Sequence, residues 1–299
     1  MATPAQKRKL QEELGELIAT QKRAKGDQRN FRKYRDDPVG FIMKILMFQP
    51  WFRQIEIAET VRDHPLVAVP GSVAAGKDAI AAALSLWWIY ARDGLVLSTS
   101  ASARQVHETF MRAELGKYWR RANLPGQIFN HALRIGSRTR LLAHTSTDVS
   151  RLTGHHEARV LCVLSEAQGL EVSAYEAMLS NAQGEGDRIL AVGNPLAPEG
   201  TFFTICQPTS DWRMVRMPAT EHPNITGAAP FIPGGPTKAG IARIERMFGK
   251  GSPQYLARIL AVFPEDAEFG LANREWIERA FERVEGTTMT YPNGMKVAL

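Results

Sequence analysis

Residues 66–78 read LVAVPGSVAAGKD, and this stretch decides the fold. Leu66 to Val69 is a short β-branched run of the kind that forms a strand buried on both faces. Gly71 to Asp78 supplies two glycines for a tight turn, and from Lys77 to Arg92 the chain is apolar nearly all round, as in a buried helix. Strand, glycine turn and helix in this order bring backbone amides at a helix N-terminus and one lysine to the same point, which is how a phosphate is cradled. Gly71, Gly76 and Lys77 meet the phosphate-loop spacing, with Ser72 and Ala75 inside the loop, but Asp78 stands where Ser or Thr is expected.

A second acidic position is altered in the opposite sense. The apolar run Val160 to Leu164 (VLCVL) ends in Ser165-Glu166. A nucleotide-hydrolysing site would present Asp-Glu there, the Asp holding Mg²⁺ through water and the Glu polarising the attacking water. Glu166 is kept, and Ser165 replaces the Asp. A hydroxyl has become a carboxylate at Asp78 while a carboxylate has become a hydroxyl at Ser165, so the two positions exchange their groups. Without a metal, a carboxylate about 4 Å from a phosphate charge costs on the order of 4 kcal/mol at an effective dielectric of 20, roughly a thousandfold in binding. Asp78 is therefore either a direct metal ligand or a disabling change, and Asp78 with Ser165 is the candidate metal pair.

Outward from these two sites, Leu95 to Thr99 and Arg188 to Val192 are further apolar strands, the latter running into Gly193-Asn194-Pro195. Helical patterns cover Pro38 to Met47, Trp51 to Asp63, Ser102 to Ala122 and Ser173 to Asn181. Gln127 to Ile135 and Arg138 to His144 flank the turn pair Gly136-Ser137, a hairpin signal. Continuous apolar strands alternating with helices predict an α/β fold with a central parallel sheet covered on both faces. Ligands of such sheets sit at the carboxyl ends of the strands. A Pro- and Gly-rich stretch, 218–236, then leads to helices at Thr237 to Phe248, Ser252 to Leu260 and Asn273 to Arg283, and to a hairpin turning at Asn293-Gly294. At the other end, Leu10, Leu14, Leu17 and Ile18 give 4–25 helical spacing.

With 299 residues, 44% hydrophobic and 23% charged, the chain can bury a sizeable core. Cys162 and Cys206 are the two cysteines, too few for a disulfide framework, and a reducing cytosol fits best. The longest apolar run, Ala79 to Ala91, has 13 residues, short of the roughly 20 that cross a bilayer. Net charge is +6, and residues 1–37 hold ten Lys/Arg against six Asp/Glu. This basic bias permits a polyanion partner without demanding one. Arg120, Arg121, Arg138 and Arg140 could face DNA or form a solvated surface. Trp87 and Trp88 read as core, and His155 and His156 with Cys162 lack the further ligands a zinc site needs.

As an ordered set, these segments resemble the ATPase half of a phage large terminase subunit, the motor that packages DNA. The resemblance runs from about Gln49 to Leu299 and is carried by FQPWFRQIEIAETV, VAVPGSVAAGKD, STSASARQV, VLCVLSEAQGL, ILAVGNPLAPEGTFF and FGKGSPQYLARILAVFPED. It implies a P-loop NTPase fold of the additional-strand, catalytic-glutamate type with N-terminal helices and a small C-terminal subdomain. By domain, the residue pattern predicts a basic helix and linker at 1–37, and the resemblance implies an ATPase core at 38–217 and a C-terminal linker subdomain at 218–299. It implies ATP and Mg²⁺ as ligands, Glu166 as catalytic carboxylate and Asn194 as the residue that senses the γ-phosphate. Gln54 and Arg53 would read the adenine side, and Arg104 would contact the triphosphate of its own or a neighbouring subunit. Translocation of double-stranded DNA, docking on a portal protein, a small terminase subunit, a homo-oligomeric ring expected to be a pentamer, and a host-cytoplasmic site of action without membrane contact follow from the same likeness. The family continues into a nuclease domain whose opening strand Met295 to Leu299 resembles, so a truncated form, a split gene or a separate motor subunit is expected and DNA cleavage is not. Two other readings stand beside it: a catalytically silent nucleotide- or DNA-binding assembly subunit, and a DNA-remodelling helicase.

Overall fold

The computed structural model describes residues 30–155, 157–265, 288–290 and 296–298. Its strands in chain order are β1 (Leu66–Pro70), β2 (Leu95–Ser100), β3 (Gln127–Ile128), β4 (Ala132–Ile135), β5 (Arg138–Thr145), β6 (Val160–Ser165), β7 (Arg188–Gly193) and β8 (Arg213–Met214), which form one sheet in the order β3-β4-β5-β2-β6-β7-β1-β8. From β5 to β8 every pairing is parallel. The β3–β4–β5 edge is antiparallel, because two short strands joined by the Gly136-Ser137 turn can only double back. The expected central parallel sheet is thus present, and the expected hairpin, on its edge, makes the sheet as a whole mixed. β7 lies between β1 and β6, the insertion that defines the additional-strand arrangement.

Successive side chains of a strand point to opposite faces, and the core divides accordingly. Val67, Val69, Val96, Leu161, Val163, Leu190 and Val192 belong to one buried cluster. It includes residues of α1 (Pro38–Lys44), α2 (Phe52–Asp63), α3 (Lys77–Tyr90) and α4 (Gln105–Leu115). Ala68, Leu95, Leu97, Cys162, Leu164, Ile189 and Ala191 belong to the other, with residues of α6 (Val172–Asn181) and α7 (Gly200–Ile205). Both faces being covered explains why the strands read as apolar runs rather than as alternation. α3 lies deep in the first layer: Trp87 and Trp88 are fully buried core, as expected.

Asp37 caps the start of α1, its carboxylate accepting from Gly40 N at 2.7 Å with Pro38 in the first turn. The single helix expected over 102–122 is α4, wound as a π-helix, followed without a break by α5 (Gly116–Arg121). Beyond the sheet come α8 (Pro223–Thr226), α9 (Lys238–Phe248) and α10 (Pro253–Tyr255), the last continued by a π-turn over Leu256–Leu260. The sequence pattern predicts neither α7 nor the two-residue β8. A closing hairpin exists as β9 (Thr288–Thr290) paired antiparallel with β10 (Lys296–Ala298). Its Asn293-Gly294 turn, the helices expected at 4–25 and 273–283, and His156 lie outside the described residues. Arg140 corrects the reading of the basic pairs: it is buried and ion-paired with Asp93, so it does not face outward. Arg121 donates to Leu46 O at 2.8 Å, and Arg138 is exposed beside Glu157.

Candidate functional site

Parallel pairing in register brings the carboxyl ends of β1, β7 and β6 side by side: Pro70 is opposite Gly193, and Val192 is opposite Ser165. Everything that follows these three ends therefore meets at one place. Gly71 to Gly76 leaves β1, turns through Ala74 (φ +59°) and Gly76 (φ +88°), and starts α3 at Lys77. The dihedral at Gly76 favours glycine, and a side chain there would meet Gln54 Nε2 at 2.7 Å and have to displace it. The first-turn amides of α3 have no helical acceptor, and with the helix dipole they make this corner attractive to an anion.

Lys77 is 7% exposed. Its ammonium donates to Ser72 O at 2.9 Å and to Asn194 Oδ1 at 3.4 Å. Burial pushes its pKa below the ordinary lysine value, while the charges of Asp78 and Glu166 pull it back up. Two carboxylates therefore act on the same ammonium from neighbouring elements. Asp78, one residue further along α3, accepts a 2.8 Å hydrogen bond from Ser165 Oγ, and Ser165 is buried at the end of β6. The two exchanged positions are thus in direct contact.

Glu166 follows with φ +50°, a conformation disfavoured for a side-chain-bearing residue and worth about 1–3 kcal/mol of backbone strain. Its carboxylate accepts from Gln168 Nε2 at 2.7 Å. Asn194, just past β7, donates from Nδ2 to Gly71 O at 2.7 Å and from its backbone N to Gln168 Oε1 at 2.9 Å. Sequence reasoning does not single out Gln168; the signal available is its place two residues beyond the acidic position in SEAQGL.

Gln54 is buried, with Nε2 on Gly76 O at 3.0 Å and Oε1 accepting from Trp51 N at 3.2 Å, so it braces the loop from behind. Trp51 Nε1 adds a 3.2 Å bond to Ala75 O. Arg53 points elsewhere: it pairs with Glu221 at 2.6 Å and Glu56 at 2.7 Å. Arg104 is exposed at the entry to α4. The structure thus gathers Gly71, Ser72, Ala75, Gly76, Lys77, Asp78, Ser165, Glu166, Asn194 and Gln54, and leaves Arg53 and Arg104 outside this cluster. Beside the loop opens a cavity of about 690 Å³ bounded by Gln49, Gly76, Asp78, Glu114, Tyr118 and Phe231. Its volume suits a ligand of nucleotide size.

The sheet order and the strand–loop–helix unit are those of a P-loop nucleoside triphosphatase fold of the additional-strand type. No protein-family profile matches the chain. A probable terminase large subunit of Enterobacteria phage P7 is 25% identical over 138 residues, a match that takes in 44% of this chain and 26% of that protein. The ATPase domain of the large terminase of Thermus phage P74-26 superposes with a TM-score of 0.56 at 14% identity, over 74% of this chain and 96% of that one. The large terminase of a thermophilic bacteriophage, in complex with ADP, gives 0.50 at 14% identity over 71% of this chain and 53% of that one. The chain therefore has the fold of the ATPase domain of phage large terminases, and its matches span about a quarter of the phage P7 protein and about half of the thermophilic bacteriophage's terminase.

Proposed function

We propose that this chain is the ATP-hydrolysing motor domain of a phage large terminase and drives translocation of double-stranded DNA into a procapsid. The observation that carries the reading is the meeting of Lys77, Asp78, Ser165, Glu166 and Asn194 at the adjoining ends of β1, β6 and β7. In this reading residues 38–217 are the ATPase core, 218–299 the C-terminal linker subdomain, and 1–37 a basic appendage.

The residues suit ATP with Mg²⁺. The loop amides and Lys77 would hold the phosphates, for which Lys77 must leave Ser72 O and Asn194 Oδ1. Asp78, with Ser165 beside it, would hold the ion. When bound, such an ion would supply positive charge to offset the negative charge developing on the phosphate oxygens. Glu166 would then align and deprotonate water, and Asn194 would register loss of the γ-phosphate through its bonds to Lys77 and Gly71. Gln54 supports the loop rather than the base, since both ends of its amide are engaged. Arg104, which is exposed, would act on the nucleotide of an adjacent subunit. A pentameric ring of this chain, docked on a portal protein and fed by a small terminase subunit in the host cytoplasm, completes the proposal.

The Asp78–Ser165 contact also suits a silent subunit, because a carboxylate satisfied by a hydroxyl is stable without metal. Steady-state phosphate release with Mg²⁺, with and without double-stranded DNA, separates the two readings. Turnover that DNA stimulates and that Lys77→Ala and Glu166→Gln both abolish is the expected result. Nucleotide binding without turnover would identify the silent subunit, and strand separation on a forked duplex would identify a helicase.

A further inference from the structure

Gln168 touches neither the phosphate loop nor the metal pair, yet both ends of its side-chain amide are committed inside the site. Nε2 donates to Glu166 Oε2 at 2.7 Å, and Oε1 accepts from Asn194 N at 2.9 Å. Asn194 in turn accepts from Lys77 Nζ at 3.4 Å and donates to Gly71 O at 2.7 Å. One chain of hydrogen bonds, Lys77–Asn194–Gln168–Glu166, therefore connects the residue that would touch the phosphates to the residue that would activate water. We infer that Gln168 is a positioning residue for the hydrolysis, holding the Glu166 carboxylate to the end of β7 so that its aim follows Asn194.

Two further observations support the assignment. The space for Gln168 exists because residue 193 is glycine: a Cβ there would lie 2.5 Å from Gln168 Oε1 and 3.0 Å from the Phe202 ring. The turn carrying Gln168 is also fixed at both ends, by Gly169 N on Glu166 O at 2.9 Å and by Tyr175 OH on Ala167 O at 2.7 Å. A flexible surface glutamine would show neither feature. The bond to Glu166 is charge-assisted and so roughly twice as strong as a neutral one. When phosphate draws Lys77 off Asn194 Oδ1, Asn194 is released on one side only, and Gln168 transmits that release to the carboxylate.

The proposal rests on the ATPase reading, and substitutions at Gln168 test it without disturbing that reading. Gln168→Glu keeps the acceptor for Asn194 N and replaces the donor to Glu166 with a second carboxylate oxygen; Gln168→Ala removes both. Phosphate release in the presence of double-stranded DNA, the affinity for a fluorescent ATP analogue and the melting temperature are measured for parent and both variants. A misdirected catalytic group typically costs about 10²-fold, so kcat is expected to fall by at least about tenfold in both variants, with KM for ATP within about twofold. Melting temperature and analogue affinity are expected to stay near parental values in Gln168→Ala, which adds no charge beside Glu166. Parental kcat in Gln168→Ala overturns the proposal, as does a loss of kcat in that variant that a matching fall in melting temperature or in analogue affinity accompanies. A parent that binds the analogue but releases no phosphate overturns the ATPase reading itself, and the positioning role with it.

Discussion

Ser165 Oγ donates a 2.8 Å hydrogen bond to Asp78 Oδ1, joining the end of β6 to the first turn of α3. Each residue carries the group expected at the other position, so the contact preserves the hydroxyl and the carboxylate while reversing which element supplies each. A carboxylate at the N-terminus of α3 is favoured by the helix dipole. Reversal therefore carries little electrostatic cost at the start of α3.

That relationship predicts non-additive behaviour. Asp78→Thr alone leaves two hydroxyls and no carboxylate beside the phosphates, and Ser165→Asp alone sets two carboxylates within hydrogen-bonding distance. Both single variants are expected to lose at least about tenfold in phosphate release, and the double variant to recover most of it, an interaction energy in the range of roughly 0.5–3 kcal/mol typical of residues in contact. An inert parent whose double variant gains activity would mean that the natural pair is broken.

Lys77 is held in a buried position by two carbonyl-type oxygens, and burial lowers its pKa. The folded state therefore disfavours the charged form, and removing the charge while keeping the stem relieves that cost. Lys77→Met is expected to lose nucleotide binding yet melt no lower than the parent in the absence of nucleotide. Calorimetric melting with and without ATP checks both halves, and a marked loss of nucleotide-free stability would refute the account of the lysine.

Gly76 combines a φ of +88° with a 2.7 Å approach to Gln54 for any added Cβ. Gly76→Ala is expected to cost about 1–2 kcal/mol from the left-handed backbone alone, more if Gln54 is pushed from the loop. Urea unfolding should show a lowered midpoint with an unchanged slope, and nucleotide affinity should fall with it.

His222 is fully buried against the Trp51 ring, and its Nδ1 accepts from Asn224 N. Burial lowers its pKa from the ordinary 6.5. Unfolded chains therefore bind more protons than folded ones between about pH 6.5 and the lower folded value, and stability falls as pH drops through that window. Above the window the effect vanishes. The melting temperature of the parent should drop more between about pH 8 and about pH 5.5 than that of His222→Phe, and equal drops would remove His222 from the explanation.

Much of this is legible in the sequence for identifiable reasons. Strands buried on both faces, such as Val160–Ser165, announce themselves as uninterrupted apolar runs, and the loop between β1 and α3 carries Gly76 at one of its left-handed turns. The exchanged pair is visible as two departures from one pattern, although their contact is not. What escapes depends on long-range placement. β8 is two residues held to β1 by backbone bonds, with no side-chain pattern to betray it. π-winding of α4 changes which backbone groups pair without changing which residues are apolar. Arg53 is expected at the base, but a residue 168 positions away, Glu221, captures it. Gln168 acquires its place only when the end of β7 arrives beside it.

The central claim is that a triphosphate lodges where β1 meets α3 with its ion held by Asp78 and Ser165, and titration calorimetry of ATP with Mg²⁺ and again with EDTA tests it most directly. Uncompensated, the Asp78 charge would weaken phosphate binding by up to about a thousandfold. The account predicts a measurable heat of association that Lys77→Ala abolishes and an affinity at least about tenfold higher with Mg²⁺ than with EDTA. No heat at millimolar ATP with Mg²⁺, or equal affinity in the two conditions, would contradict it.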